Sequence, residues 1–167
     1  MFTTLKSFEE SWKHESAMTG NILNALTDES LSQAIAPNHR TLGRIAWHIV
    51  TTLHEMLSRT GLVFEAPHED APVPATASAI AESYRQASTA LSDAIRQQWT
   101  DSTLAETAEM YGDTWSKGLT LAVVINHQAH HRGQMTVLMR QAGLAVPGVY
   151  GPSLEEWSTF GMQPPVV

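Results

Sequence analysis

Residues 61–76 read Gly-Leu-Val-Phe-Glu-Ala-Pro-His-Glu-Asp-Ala-Pro-Val-Pro-Ala-Thr, and this stretch decides the topology of the chain. Its prolines at 67, 72 and 74 are typical of a linker between two helical segments. Sixteen extended residues reach about 50 Å at roughly 3.3 Å per residue, whereas a helix of eighteen residues is only about 27 Å long. The linker can therefore run back along the helix before it. This length predicts that the two helices it joins are parallel.

Four stretches with apolar residues at helical spacings flank this linker. Thr41 is a candidate N-cap of the second stretch, and Gly143 ends the fourth. A bundle with one long crossover is an established four-helix architecture. The sequence therefore predicts an all-α four-helix bundle whose helices run approximately Thr3–Leu26, Leu42–Arg59, Ala77–Trp99 and Leu119–Ala142.

Two further segments lie outside these helices. A short extended pair is expected between Leu104 and Trp115, around the turn signal Tyr111–Asp113. The tail from Gly143 to Val167 is rich in Pro and Gly but also carries aromatic residues, which indicate a segment packed on the bundle. The length of 167 residues fits one domain, residues 1–167.

Composition excludes several classes of protein. Apolar residues make up 43% and charged residues 16%, which is globular composition. A net charge of −7 with only ten Lys and Arg argues against nucleic-acid binding. With no cysteine, disulfides and thiolate ligands are excluded. No run approaches the ~20 apolar residues of a membrane span, and Met1–Phe8 lacks the order of a signal peptide. We therefore expect a cytoplasmic protein.

Three histidines crowd into the segment Asn126–Gln134 of the fourth helix, Asn-His-Gln-Ala-His-His-Arg-Gly-Gln. His127 and His131 are four residues apart and share a helix face, so both imidazoles can reach one metal ion. At about 100° per residue they flank the middle of the apolar arc, while His130 lies toward one edge. Buried imidazoles are costly unless satisfied. A metal satisfies both, and the alternative is a hydrogen-bonded pair in the core.

A third ligand has to come from another helix. His48 and His54 lie at the two edges of the second helix's apolar arc, and periodicity alone does not choose between them. His14 stands between charged residues and is expected to be solvated, whereas His39 and His68 fall in loops. The residues alone leave the third ligand open.

Three segments together carry a resemblance to a known family. They are Gly43–Ile49, with Glu55 seven residues after His48, then His127–Gln134, and the tail segment Gly143–Pro152. In order and spacing the chain resembles the DinB-like (YfiT-type) metalloenzymes. The resemblance implies a bundle with up-down-down-up helix order and a three-histidine metal site. That site falls here on His48, His127 and His131.

Three neutral imidazoles leave a coordination position open, as in catalytic zinc sites. Zinc is the expected divalent ion, and nickel, iron or copper also suits histidine ligands. Relatives of this fold include thiol-dependent S-transferases, and the lack of cysteine fits an external low-molecular-weight thiol or a hydrolase. The sequence therefore predicts a metal-dependent transferase or hydrolase acting on a small molecule. The alternative is a non-enzymatic, metal-binding or structural bundle, and a homodimer is expected in either case.

Neighbouring polar residues raise secondary hypotheses. Glu55 and Gln134 are candidates for orienting the metal ligands, although ordinary surface positions are the favoured interpretation for both. Arg132 follows His131 directly and is a candidate for attracting an anionic substrate, with a solvated helix face as the favoured alternative. No catalytic residue is identified from the sequence.

Overall fold

The computed structural model describes residues 1–166 and contains four long helices. Every helix boundary lies within two residues of the predicted one, and the all-α class is confirmed. A short hairpin precedes the last helix, with Tyr111 and Gly112 at its turn, both at positive φ. The elements are α1 (Leu5–Asn24), α2 (Leu42–Ser58), α3 (Ala77–Gln98), β1 (Thr107–Met110), β2 (Asp113–Ser116) and α4 (Lys117–Gln141).

Side-chain caps set where the helices begin. Each N-cap hydroxyl accepts a hydrogen bond from a first-turn backbone N–H that has no partner within its helix. At the other end of α4, Gly143 adopts φ +76°, the left-handed conformation that favours glycine. Leu144 N–H then donates to the Met139 carbonyl at 2.9 Å and closes the helix. The caps are Thr4, Thr41, Thr76 and Ser116.

The linker returns along α2 as its length predicts. Just after α2, Val63 N–H donates to the Gln98 side chain at 3.1 Å, and Gln98 sits at the end of α3. Farther along, the Trp47 indole N–H donates to the Ala71 carbonyl at 2.9 Å, close to the start of α2. The C-terminal ends of α2 and α3 therefore lie together, and the two helices are parallel.

Two other contacts complete the helix order. Asp28, which follows α1, accepts a 2.8 Å hydrogen bond from Ala77 N–H at the start of α3. Phe2 N–H donates to the Gly118 carbonyl at 3.0 Å, so α1 and α4 begin at the same end. A Cβ at Gly118 would lie 2.1 Å from the Phe2 carbonyl oxygen, which explains glycine there. The order is up-down-down-up, with α1 and α2 each packed against both α3 and α4.

The tail contacts the bundle, although two of its aromatic side chains stay largely exposed. Val146 is buried against the core, whereas Tyr150 and Phe160 are largely exposed. Tyr150 reaches the bundle with its hydroxyl, and Arg140 of α4 pairs with Glu155. No helix within residues 1–166 combines the length and apolar content needed to cross a bilayer.

Candidate metal centre

Three histidine side chains converge between α2 and α4. One ring nitrogen from each of His48, His127 and His131 lies within 4.8 Å of the other two. The Nε2 atoms of His127 and His131 are 3.1 Å apart. Two nitrogen ligands at 2.0–2.1 Å from a tetrahedral zinc ion are separated by about 3.3 Å. The spacing of the two Nε2 atoms therefore fits a shared ion, and the donor set suits a divalent metal.

Local helical geometry places these rings. His127 and His131 occupy one face of α4 at a spacing of four residues, and their ring centroids are 4.4 Å apart. The His48 ring lies 5.0 Å from that of His127 and 4.7 Å from that of His131. His54 instead faces the linker, where its ring is 5.4 Å from that of His68. The structure thus brings His48 to the pair and leaves His54 outside it.

A glutamine orients one of the three imidazoles. Nδ1 of His131 is 2.8 Å from Oε1 of Gln134, and an amide oxygen only accepts hydrogen bonds. With the amide in this orientation, His131 carries its proton on Nδ1 and keeps the Nε2 lone pair free for a ligand. The Gln134 amide nitrogen lies 3.0 Å from Nε2 of His130, which is exposed and outside the triad. Gln134 is exposed, as expected of a surface residue, but its contact with His131 favours a role in orienting this imidazole, which stays a prediction.

Glu55 does not touch the histidines. Its carboxylate accepts hydrogen bonds from the Arg59 side chain at 2.8 Å and the Tyr111 hydroxyl at 2.6 Å. Glu55 is therefore not a fourth ligand. Within residues 1–166, the group of side chains placed to share one metal ion consists of the three histidines, with no Asp, Glu or further His. A metal ion held by these three rings would keep a coordination position for an exogenous ligand.

The electrostatics keep the triad neutral. Burial is the main cause that lowers the pKa of His48 from 6.5 to about 3, with a smaller contribution from His131. Burial likewise lowers the pKa of His127 to about 4 and also lowers that of His131. Neutral imidazole is the form that coordinates metals. The folded chain therefore presents the three rings in the protonation state that a metal requires.

Two clefts flank the histidines. The first, the polar cleft, has a volume of about 560 Å³, and its lining includes Arg44, His48, Thr52, Glu55, Tyr111 and His127. The second, the apolar cleft, has a volume of about 520 Å³, and its lining includes Ile35, Arg40, Ile45, His131, Val137 and Leu138. Both volumes are in the range of small-molecule sites. A ligand in either cleft would lie beside at least one of the candidate metal ligands.

Arg132 has a role that neither hypothesis for it anticipated. Its side chain is 1% exposed and forms an ion pair with Glu15 of α1. It also donates to Thr19 Oγ1 at 2.9 Å and to the Tyr150 hydroxyl at 2.6 Å. It is therefore neither solvated nor free to bind substrate. Sequence reasoning missed Glu15, although its position three residues after Trp12 and four before Thr19 places it on the buried face of α1.

The fold and the site define a four-helix bundle protein with a candidate three-histidine metal centre. The family model described as "DinB family" matches residues 1–164, and the chain belongs to this family. It is 54% identical over 165 residues to the uncharacterized protein YrdA of Bacillus subtilis (strain 168), and the match covers 99% of each chain.

Solved structures agree with this assignment. A crystal structure of a DinB-like protein from Bacillus cereus ATCC 10987 is 53% identical, with a TM-score of 0.87, and the match covers 90% of this chain and all of that one. A DinB-like protein (YjoA) from Bacillus subtilis shares only 15% identity. Its TM-score of 0.66, over 86% of this chain and 96% of that one, reflects the common fold alone.

Proposed function

We propose that this protein is a metal-dependent enzyme in which His48, His127 and His131 hold one divalent cation, with zinc as the expected ion. The observation that carries the proposal is the convergence of three imidazoles with no fourth protein ligand among residues 1–166. Structural zinc sites are closed by four protein ligands, whereas catalytic sites keep one position for water or substrate. The two flanking clefts give a small molecule access to that position.

The reaction class we propose is thiol-dependent S-transfer or hydrolysis of a small-molecule substrate. A bound divalent ion lowers the pKa of a coordinated thiol or water and so supplies the nucleophile. The chain has no cysteine of its own, so the thiol in the transferase reaction is an external low-molecular-weight compound. The family resemblance supports the transferase as the first of the two.

The residues around the triad have distinct tasks in this proposal. Gln134 holds His131 in the tautomer whose Nε2 is a ligand. Glu55 and Glu69 line the polar cleft beside His48 and His127, where a carboxylate can accept the proton that a thiol or water releases. Burial, with Glu55 as its hydrogen-bond acceptor, raises the pKa of Tyr111, so this phenol remains a hydrogen-bond donor in the same cleft.

Elemental analysis of the purified protein tests the metal site. We expect stoichiometric divalent metal in the wild type and in a His54→Ala control, and loss of the metal in a His127→Ala, His131→Ala double variant. The control removes a histidine of α2 that lies outside the triad. Equal metal content in the double variant and the wild type would falsify the ligand assignment.

A second experiment separates the two reaction classes. Metal-loaded protein is incubated with a chlorinated nitroarene and cysteine, glutathione or coenzyme A, and separately with an activated ester and no thiol. Thioether formation that depends on both thiol and metal supports the transferase, whereas ester turnover without thiol supports the hydrolase. The transferase assignment fails if no thiol supports turnover in fully loaded protein.

A further inference from the structure

Two arginines near the histidine triad form no ion pair with a carboxylate. Seven of the ten Lys and Arg residues form ion pairs with carboxylates, so within the described residues only Lys13, Arg40 and Arg44 form none. The chain carries seventeen acidic residues, so available carboxylates are not scarce. Arg40 and Arg44 both lie beside the histidine triad, one in each cleft.

The two clefts differ in the negative charge that surrounds their arginines. Arg44 shares the polar cleft with two carboxylates, those of Glu69 and of Glu55, the second of which pairs with Arg59. The lining of the apolar cleft contains Arg40 but no acidic residue. Arg40 is therefore an uncompensated cation beside the candidate reaction centre.

The walls of the apolar cleft carry large aliphatic side chains that are exposed to solvent. Ile35 and Val137 are 57% and 50% exposed, and they face the cleft together with Ile45 and Leu138. Covering large aliphatic side chains removes apolar surface from water, which favours a ligand with an apolar body. His131 and Gln134 line the same cleft, so such a ligand would lie against the candidate metal centre.

We propose that the apolar cleft binds a small amphipathic anion, with an apolar body against Ile35, Ile45 and Val137 and a single carboxylate-type group held by Arg40. A guanidinium binds a carboxylate through two parallel hydrogen bonds, and no side chain of the described chain occupies that position on Arg40. The surrounding net charge of −7 otherwise repels anions, so Arg40 gives the cleft its selectivity. That this anion is the substrate rests on the proposed function.

Calorimetric titration of octanoate into the metal-loaded protein tests this site. We expect Arg40→Gln to raise the Kd of octanoate about tenfold and Arg40→Lys to raise it less. Lys13→Gln is the matched control, because it removes another unpaired cation, in a groove between α1 and α3. Octanol, which has the same apolar body without the charge, should bind wild type and Arg40→Gln equally.

Other results would overturn the inference. Octanoate that binds Arg40→Gln as tightly as wild type, but fails to bind the metal-free His127→Ala, His131→Ala variant, is held by the metal and not by Arg40. If Val137→Glu converts a dimer to a monomer and octanoate does not bind the wild type, the cleft is an interface between two copies of the chain. Arg40-dependent binding that persists in a metal-free protein supports this site even where the proposed enzyme function fails.

Discussion

Two adjacent pairs of polar residues on α4 have the same spacing and opposite surroundings. His127 and His131 face α2, while Gln128 and Arg132, each one position later, face α1 and α3. The Gln128 carbonyl accepts hydrogen bonds from Thr19 and Tyr84, both at 2.8 Å. Arg132 is likewise enclosed by protein partners. On the histidine side, the ring nitrogens face one another and two clefts.

This contrast distinguishes polar residues that hold the bundle together, Gln128 and Arg132, from polar residues that can bind a ligand, His127 and His131. Groups that are buried with protein partners hold elements together, because removing one partner leaves the other desolvated and unpaired. Groups whose polar atoms line an open cleft, as those of the three histidines do, are available to an ion or substrate. On α4 the two kinds of cluster differ by a rotation of about 100°, which is one residue along the helix.

The largest effect is expected on the structural side. Arg132→Leu leaves the buried carboxylate of Glu15 without its cation, so the free energy of unfolding should fall by about 3–5 kcal/mol in chemical denaturation. Arg140→Leu is the control, because its pair with Glu155 is exposed and should be worth about 0–1 kcal/mol. Similar losses in the two variants would contradict the distinction, as would loss of metal from folded Arg132→Leu.

A smaller effect is expected on the histidine side. Gln134→Leu removes the hydrogen bond that orients His131, so metal affinity should fall about 10–100-fold with little change in stability. Competition with a chromophoric chelator measures this affinity. Gln97→Leu makes the same substitution at an exposed site on α3 and should leave the affinity unchanged. Unaltered affinity in Gln134→Leu would assign Gln134 to the surface after all.

The last effect concerns pH and the metal-free protein, and it develops gradually over a range of pH. The pKa values of His48 and His127 are lowered to about 3 and about 4 in the folded state, from an ordinary 6.5. Below pH 6.5 the unfolded chain therefore binds protons that the folded chain does not. The free energy of unfolding should decrease as the pH falls from about 6.5 toward 4, and this contribution should be constant above that window.

Thermal unfolding of metal-free protein at a series of pH values measures this slope. His48→Leu removes one of the lowered titrations and should make the slope shallower, with His14→Leu, at an exposed site on α1, as the control. A slope identical in His48→Leu and wild type would show that the neutral triad does not contribute to acid sensitivity.

Most of the fold was predictable because its signals are local. Periodicity and caps such as Thr41 located the helices, since both depend on residues within one or two turns. The length of the 61–76 linker predicted the parallel pair α2 and α3, because chain reach sets a geometric limit. The aromatic residues of the tail indicated its contact with the bundle but not how much of them is buried, since Tyr150 contacts Arg132 and still is 68% exposed.

The candidate metal site also has features that local sequence determines and features that depend on tertiary packing. By itself the sequence determined that His127 and His131 share one face of a helix, because spacing in an α-helix fixes direction. Where the residues alone left the choice open, the tertiary structure placed the ring of His48, and not that of His54, beside this pair, and it closed off Arg132 with Glu15. Each of these outcomes depends on how one helix is rotated against another. That rotation is set by packing across the whole core, and no local pattern encodes it.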